Sequence, residues 1–180
     1  METLTRWATG KNILILLALF LIVNLVLVPA FYPKFQTLDT LPSYTPHDAY
    51  QLIASYGDQG RQLYLLNELT LDLAYPIILA LLFSLAILYT FRRGFPNQPW
   101  TRWLAIIPFA VMAADYLENA CVVTMLVNYP RLLPTLAKVS NVFTVIKGVL
   151  SYVDLIFIVG LAAWLMNALR RRAMVRAESQ

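Results

Sequence analysis

Charged residues are scarce in this 180-residue sequence, in which Asp, Glu, Lys and Arg together make up 13%. A typical soluble domain carries about 25% charged residues. Cysteine and histidine occur once each. The single Cys121 excludes an intramolecular disulfide, and we expect it to be a small packing residue. The single His47 lies in the predicted outer loop, so the serines of the apolar segments have no histidine within the span, and we expect His47 to face solvent or the membrane interface.

Other chemical signatures are missing from the sequence as well. It contains no phosphate-binding loop, no spaced cluster of metal ligands and no nucleic-acid signature. We therefore predict no bound metal, no cofactor and no nucleic-acid partner. A hard cation such as Ca²⁺, held by carboxylates, is an alternative that the neighbouring lysines disfavour.

Apolar residues are abundant instead, at 59% of the sequence and with a mean hydropathy of +0.63. They fall into four blocks, each near the about 20 residues that a helix needs to cross a bilayer. We predict an all-α polytopic membrane protein, a four-helix transmembrane bundle made by a single membrane domain, residues 1–180. The predicted helices cover about 12–31, 61–91, 102–127 and 135–169, and the outer loop covers 32–60.

The first apolar block allows two interpretations. Val28-Pro29-Ala30 is similar to a small-residue cleavage site, which would make the block a signal peptide. The apolar run from Ile13 to Ala30 exceeds the about 7–15 residues of a signal-peptide core, which favours a retained anchor. Asn24 interrupts this run, and we expect it to bond a neighbouring helix or to be tolerated near the outer boundary.

A short amphipathic helix is predicted inside the outer loop. Thr45 has the character of an N-cap, Pro46 suits the first helical position, and Asp48 lies in the first turn. The following turns place one apolar face, made by Ala49, Leu52, Ile53 and Tyr56. We expect residues 57–60 to end this helix.

Basic residues indicate the orientation of the chain, because loops rich in Lys and Arg stay on the cytoplasmic side. The long outer loop carries more acidic than basic residues. We therefore predict a multi-pass protein of the cell (cytoplasmic) membrane with both termini cytoplasmic. The basic residues that fall on one side are Arg6, Lys11, Arg92, Arg93, Arg102, Arg170, Arg171, Arg172 and Arg176.

Polar residues recur at helical spacing within three apolar segments. A charge inside a bilayer costs about 2.5–3.5 kcal/mol even on mild insertion scales, so these residues need partners. On the second helix the stripe comprises Arg61, Tyr64, Glu68, Asp72 and Tyr75. On the third helix it comprises Asp115, Tyr116, Glu118 and Asn119, and on the fourth Ser140, Thr144, Lys147, Ser151 and Asp154.

Lys147 is the natural counter-charge for these acids. Helices joined by short turns pack side by side, so we expect Lys147 within salt-bridge reach of Asp115 or Glu118. Carboxylates outnumber cations in the predicted site, and two like charges one turn apart resist simultaneous ionisation. We expect Asp115, the deeper of the two, to hold a proton while Glu118 stays ionised. A proton donor beside a proton acceptor is the minimum equipment for acid–base chemistry.

Two resemblances rest on these residues. Gly57-Asp58-Gln59-Gly60-Arg61, Asp72 with Tyr75-Pro76, and Asp115-Tyr116-Leu117-Glu118-Asn119 resemble a family of small four-helix bacterial membrane proteins of unassigned function. The layout is also similar to the EXPERA group, which includes emopamil-binding sterol isomerases and the sigma-2 receptor. The shared layout is about four helices, a long first outer loop, and acids ahead of a proline, here Glu68 and Asp72 before Pro76. This second resemblance implies carboxylates that bind amine ligands or shift a ring double bond.

Two function classes follow. The first is a protein that binds a membrane lipid or an amphiphilic small molecule, with isomerase-like acid–base chemistry as an extension. The second is a non-catalytic structural or assembly subunit whose buried charges only pair helices, as a homo-oligomer or beside another membrane protein. The catalytic candidates are Glu68, Asp72, Asp115 and Glu118. The predicted binding residues are Glu68, Asp72, Tyr75, Asp115, Tyr116, Glu118, Asn119, Lys147 and Asp154.

Overall fold

The computed structural model describes residues 2–94 and 101–178, with side chains described for 2–93, 103–158, 160 and 164. Every regular element in these ranges is helical, which confirms the all-α prediction. The helices are α1 (Glu2–Trp7), α2 (Gly10–Phe31), α3 (Pro46–Ser55), α4 (Gly57–Glu68), α5 (Leu71–Gly94), α6 (Thr101–Leu104), α7 (Ile107–Asn128) and α8 (Pro134–Glu178). The connection predicted between the second and third helices lies partly outside the described residues.

Within the described residues, four segments are long and apolar enough to cross a membrane: Gly10–Phe31, Gly57–Arg93, Ile107–Asn128 and Pro134–Ile158. Their outer faces carry large apolar side chains that the protein itself does not cover. Leu25 is 72% exposed and Ile156 is 71% exposed. A contiguous apolar surface of this kind needs an apolar surrounding. The chain is therefore a multi-pass membrane protein, as the composition predicts.

The first spanning helix differs from its predicted form in two ways. It begins at Gly10 rather than near 12, because Thr9 caps it by accepting from the Asn12 amide at 3.3 Å. The short helix α1 precedes it and was not predicted. Residues Val23–Leu27 form a π-helical turn immediately before Pro29, whose missing N–H cannot bond the preceding turn.

The amphipathic helix α3 forms as predicted. Thr45 caps it and makes a reciprocal capping box with Asp48, while Pro46 occupies the first turn. Hydrogen bonds from the Thr45 side chain and backbone lower the pKa of the Asp48 carboxyl below its ordinary value. The buried face is made by Ala49, Tyr50 and Ile53, and Leu52 and Tyr56 are partly buried beside it.

Helix α3 ends at Ser55, just before the residues predicted to end it, but residues 57–60 are themselves helical and begin α4. Gly57 adopts a φ of 63°, which turns the chain and starts α4 directly. Glycine reaches this left-handed backbone without steric cost, whereas other residues do so rarely. The outer loop is therefore shorter than 32–60 and is largely converted into helix.

The second predicted helix, 61–91, is interrupted. It consists of α4 and α5, with a break at Leu69 and Thr70. The Thr70 hydroxyl donates to the Leu66 carbonyl at 2.6 Å, which satisfies one acceptor at the end of α4. Pro76 lies inside α5, so the chain breaks ahead of the proline rather than at it.

The third predicted helix, 102–127, is also interrupted, at Ala105 and Ile106. Pro108 therefore lies in the first turn of α7 and not within a continuous helix. The buried Ser84 hydroxyl of α5 donates to the Ala105 carbonyl at 2.7 Å, which gives this freed backbone group a partner. The fourth helix runs from Pro134 to Glu178, beyond the predicted end near 169.

The helix order places α7 at the centre. It packs against α8, which follows it after a short turn, and against α5. The first spanning helix α2 packs mainly on α5. Helix α3 packs over the start of α8, and the Tyr50 hydroxyl accepts from the Leu133 amide at 2.6 Å. The polar stripes of α5, α7 and α8 consequently face one another.

Candidate functional site

The predicted ion pair between α7 and α8 is present. Lys147 Nζ lies 2.9 Å from Asp115 Oδ1 and 2.5 Å from Glu118 Oε2. The two acids stand one turn apart on α7, so a single ammonium group bridges both. This confirms the prediction that Lys147 reaches Asp115 or Glu118.

The two acids differ in burial, and in the opposite order to the one expected. The Glu118 side chain is fully buried, whereas the Asp115 side chain is 17% exposed. The expectation that Asp115 is the better desolvated carboxyl is therefore wrong. Depth along the helix suggested that order, but packing against α8 decides how much water reaches each group.

Glu118 is connected to the outer part of the protein. The Thr144 hydroxyl donates to Glu118 Oε1 at 2.6 Å. One turn earlier on α8, Ser140 Oγ accepts from the Tyr44 hydroxyl at 2.7 Å. Burial raises the pKa of the Tyr44 phenol above its ordinary value. The charged side chains of the bundle are thus joined to the outer loop through hydroxyl groups.

A cavity of about 540 Å³ lies beside this ion pair, between α2, α5, α7 and α8. We call it the main cavity. Its volume falls within the about 300–1,000 Å³ typical of small-molecule sites. Apolar side chains form most of its wall, among them Phe20, Val23, Val28, Leu79, Phe83, Val111 and Met112.

The polar part of the main cavity is predominantly acidic. Its lining includes the carboxylates of Asp39, Asp72, Asp115 and Asp154 and the ammonium of Lys147. Lys147 is already shared between Asp115 and Glu118. Asp154 is 3% exposed, and its Oδ1 has no hydrogen-bond partner within the described residues. A buried acceptor without a donor is uncommon in proteins and calls for an explanation.

Asp39 was missed as a site residue by sequence reasoning. It lies in a short 3₁₀ turn, Leu38–Thr40, that the outer loop places over the cavity. Its carboxylate accepts from the Tyr32 hydroxyl at 2.8 Å and from the Tyr64 hydroxyl at 3.0 Å. Burial and the neighbouring Asp39 charge raise the pKa of the Tyr32 phenol. No spacing in the sequence signals this contact, because Asp39 belongs to none of the helical stripes.

Part of the predicted binding set meets at the cavity and part does not. The residues that line it are Asp72, Tyr75, Asp115, Lys147 and Asp154. Those placed away from its lining are Glu68, Tyr116, Glu118 and Asn119. The roles of all nine in binding a ligand stay predictions, and so does the assignment of catalytic candidates.

Tyr116 and Asn119 instead bond the backbone around Pro76. Proline has no N–H to offer the carbonyl of the residue four positions earlier, here Asp72. Asn119 Nδ2 approaches that carbonyl at 3.4 Å, and the Tyr116 hydroxyl donates to the Leu73 carbonyl at 2.6 Å. These two side chains of α7 therefore satisfy backbone acceptors of α5 next to its proline.

Asn24 and Glu68 complete the polar groups near the site. Asn24 bonds its own helix and lies close to a neighbouring one: its Nδ2 donates to the Phe20 carbonyl at 2.8 Å, and its Oδ1 lies 3.4 Å from the Tyr75 hydroxyl of α5. Glu68 is 2% exposed, and both of its carboxylate oxygens lack a hydrogen-bond partner within the described residues. Among the same residues, no three His, Cys, Asp or Glu side chains are grouped to hold a metal ion.

The fold and the site together define a class: a multi-pass helical membrane protein with a mainly apolar cavity between its helices and an acidic polar end. Comparison of the chain with protein-family models, with curated proteins and with solved structures gave no match.

Proposed function

We propose that this protein binds an amphiphilic small molecule or a lipid in the main cavity. The observation that carries the proposal is that one cavity combines an apolar wall with the carboxylate of Asp154, whose buried Oδ1 lacks a donor. A ligand with an apolar body would cover Phe20, Leu79 and Phe83. Its polar end would supply the missing donor, since an unmade hydrogen bond at a buried acceptor is costly.

The charges of the cavity favour a particular polar end. Lys147 is neutralised by Asp115 and Glu118, so it offers little attraction to an anionic ligand. Asp72 and Asp154, which line the same cavity, are hydrogen-bond acceptors. We propose that the ligand carries N–H or O–H donors at its polar end. This agrees with the amine ligands that the layout resemblance to the EXPERA group implies, and that resemblance stays a prediction.

Acid–base chemistry is an extension of this proposal. Asp72, Asp115 and Lys147 line the cavity, so each lies where a bound molecule could exchange a proton with it. Glu68 and Glu118 lie away from the lining and would act only through neighbours. We therefore propose ligand binding as the function, without a specific reaction. The proposal retains the predicted location in the cell membrane with both termini cytoplasmic, which the basic residues support.

Gly148 offers a direct test, because it lines the main cavity and a Cβ added there meets no heavy atom within 4 Å. Gly148→Leu should therefore add an apolar side chain to the cavity without a clash at its Cβ. The matched control is Gly160→Leu on the same helix, where an added Cβ also meets open space. Mass spectrometry of small molecules extracted from the purified proteins should find an amphiphile in the wild type and in Gly160→Leu, and at least about tenfold less in Gly148→Leu.

Asp154→Asn tests the polar end separately. It preserves the shape of the side chain, removes the charge and replaces one of the two acceptor oxygens by an NH₂ donor. The variant should fold and carry less of the same amphiphile. Equal ligand content in the wild type, Gly148→Leu and Asp154→Asn would contradict the proposal.

The alternative is a structural or assembly subunit, and one observation favours it. Lys147, Asp115, Glu118 and Thr144 satisfy one another across α7 and α8, as expected for charges that only fix helix register. Under this function the wild type would carry no ligand, and a partner protein or a second copy would cover the apolar faces. Cross-linking in the native membrane, combined with the extraction above, separates the two functions.

A further inference from the structure

A second cavity, of about 690 Å³, lies between the end of α2, the start of the outer loop and α4. Its apolar wall includes Leu27, Phe31, Leu63 and Leu66. Phe31 is 63% exposed and Leu66 is 59% exposed, so the protein leaves this wall uncovered. The cavity belongs to the membrane-facing side of the chain and is distinct from the main cavity, although Tyr32 and Leu71 line both.

Asn67 gives this cavity a buried polar group that lacks a partner. The residue is 3% exposed and lines the cavity, and its Oδ1 makes no hydrogen bond within the described residues. Its Nδ2 donates to Asp72 Oδ2. Because a carboxylate oxygen only accepts, the amide group must direct its NH₂ towards Asp72, which leaves Oδ1 as the free acceptor. Asn67 therefore places a buried acceptor without a donor in the wall of the second cavity.

Lys34 adds a positive charge to the same lining. It is an exposed residue of the outer loop, and it makes no ion pair within the part of the chain that the structure describes. A lysine at the edge of an apolar surface keeps its ammonium in the polar zone while its methylene groups cover apolar side chains. The cavity thus combines an apolar trough, a cation at its edge and a buried acceptor.

We propose that the second cavity binds one phospholipid whose headgroup carries hydrogen-bond donors. Its acyl chain lies against Leu27, Phe31 and Leu66, its phosphate contacts the Lys34 ammonium, and an N–H or O–H of the headgroup donates to Asn67 Oδ1. A phospholipid meets all three features at once, whereas a free fatty acid brings an anion and a chain but no headgroup donor. The bound lipid would support the wall, made by Tyr32 and Leu71, that the two cavities share.

The test is native mass spectrometry of the detergent-purified full chain, titrated with three lipids of equal chain length. Dimyristoyl phosphatidylethanolamine should bind about fivefold more tightly than dimyristoyl phosphatidylcholine, because only the former headgroup has N–H donors for Asn67. Myristic acid should bind more weakly than either. Equal binding of all three would overturn the proposal and indicate nonspecific adsorption to the apolar surface.

Two variants test whether the lipid binds in this cavity. Lys34→Gln should weaken binding of phosphatidylethanolamine about fivefold, because the phosphate loses a charge-assisted contact. Lys138→Gln, which changes an exposed lysine at the start of α8, should leave it unchanged. Ala30→Trp should fill the trough and abolish binding, with the exposed Ala54→Trp of α3 as its control. If each variant behaves like its control, the site is elsewhere and the proposal is wrong.

We expect phospholipid binding in the second cavity to be independent of the main cavity. Gly148→Leu should leave phospholipid binding unchanged, since Gly148 does not line the second cavity. Loss of phospholipid binding in Gly148→Leu would contradict the assignment of two separate sites. Failure to find an amphiphile in the main cavity would leave the expected phospholipid results unaltered.

Discussion

Replacing Lys147 by Met removes the cation that two buried acids share, and we expect a large loss of stability. Lys147 Nζ lies 2.9 Å from Asp115 and 2.5 Å from Glu118, and the Glu118 side chain is fully buried. Breaking a buried pair by removing one partner costs roughly 3–5 kcal/mol, because the remaining charge is left uncompensated. That is a large share of the about 5–15 kcal/mol that stabilises a typical domain.

A second substitution separates pairing from simple packing. Glu118→Gln keeps the shape of the side chain and still accepts from Thr144, but it carries no charge. Combined with Lys147→Met, it leaves Asp115 as the one acid that formerly faced Lys147. The double variant should therefore recover part of the loss, with an interaction energy of about 1–3 kcal/mol in the double-mutant cycle.

The assay is reversible unfolding in detergent micelles, followed by tryptophan fluorescence for the wild type, both single variants and the double variant. Lys138→Met is the control, because Lys138 is exposed on the same helix. It should change the free energy of unfolding by no more than about 0.5 kcal/mol. Additive losses in the cycle, or equal losses for Lys147→Met and Lys138→Met, would refute the argument that the charges pair.

Three further predictions concern other parts of the molecule. Asn119→Ala leaves the Asp72 carbonyl, which Pro76 cannot bond, without its side-chain donor. We expect a loss of about 1 kcal/mol in the free energy of unfolding; no change would show that this long contact contributes nothing. The lowered pKa of Asp48 means that its stabilisation of α3 is present above its ordinary value of 3.8 and is lost as the pH falls below it. Amide exchange in α3 measured against pH should show this loss in the wild type but not in Asp48→Asn, and identical profiles would exclude it. Reporter fusions after Gly60 and Asn97 should report outside and cytoplasmic positions respectively, and the reverse would invert the orientation.

The periodicity of the sequence predicted the spanning helices but not the points at which they are interrupted. Apolar blocks and polar stripes at three- and four-residue spacing indicated the spanning segments, because such spacing is a local property of the chain. The interruptions at Leu69–Thr70 and at Ala105–Ile106 were not visible in this way. Each depends on bonds to freed backbone carbonyls, and the Ser84 hydroxyl that bonds Ala105 comes from a helix 21 positions away along the chain.

The candidate site shows the same division. Lys147 and its two acids could be matched from the sequence, since each lies on a stripe at a comparable depth on neighbouring helices. Asp39 could not, because the outer loop brings it to the cavity and no periodic pattern includes it. The burial of Asp115 and Glu118 also escaped prediction, because the packing of α8 sets it.

By itself, the sequence determined that this chain crosses a membrane several times and that it keeps acids and a lysine within apolar helices. The reason is that the cost of placing charge in hydrocarbon is a property of each residue and of its near neighbours. Only the tertiary structure decided which polar groups pair, which line a cavity and which buried acceptors, such as those of Asn67 and Asp154, remain without donors. These features are gaps and contacts between surfaces distant in the sequence, and they exist only once the helices have packed.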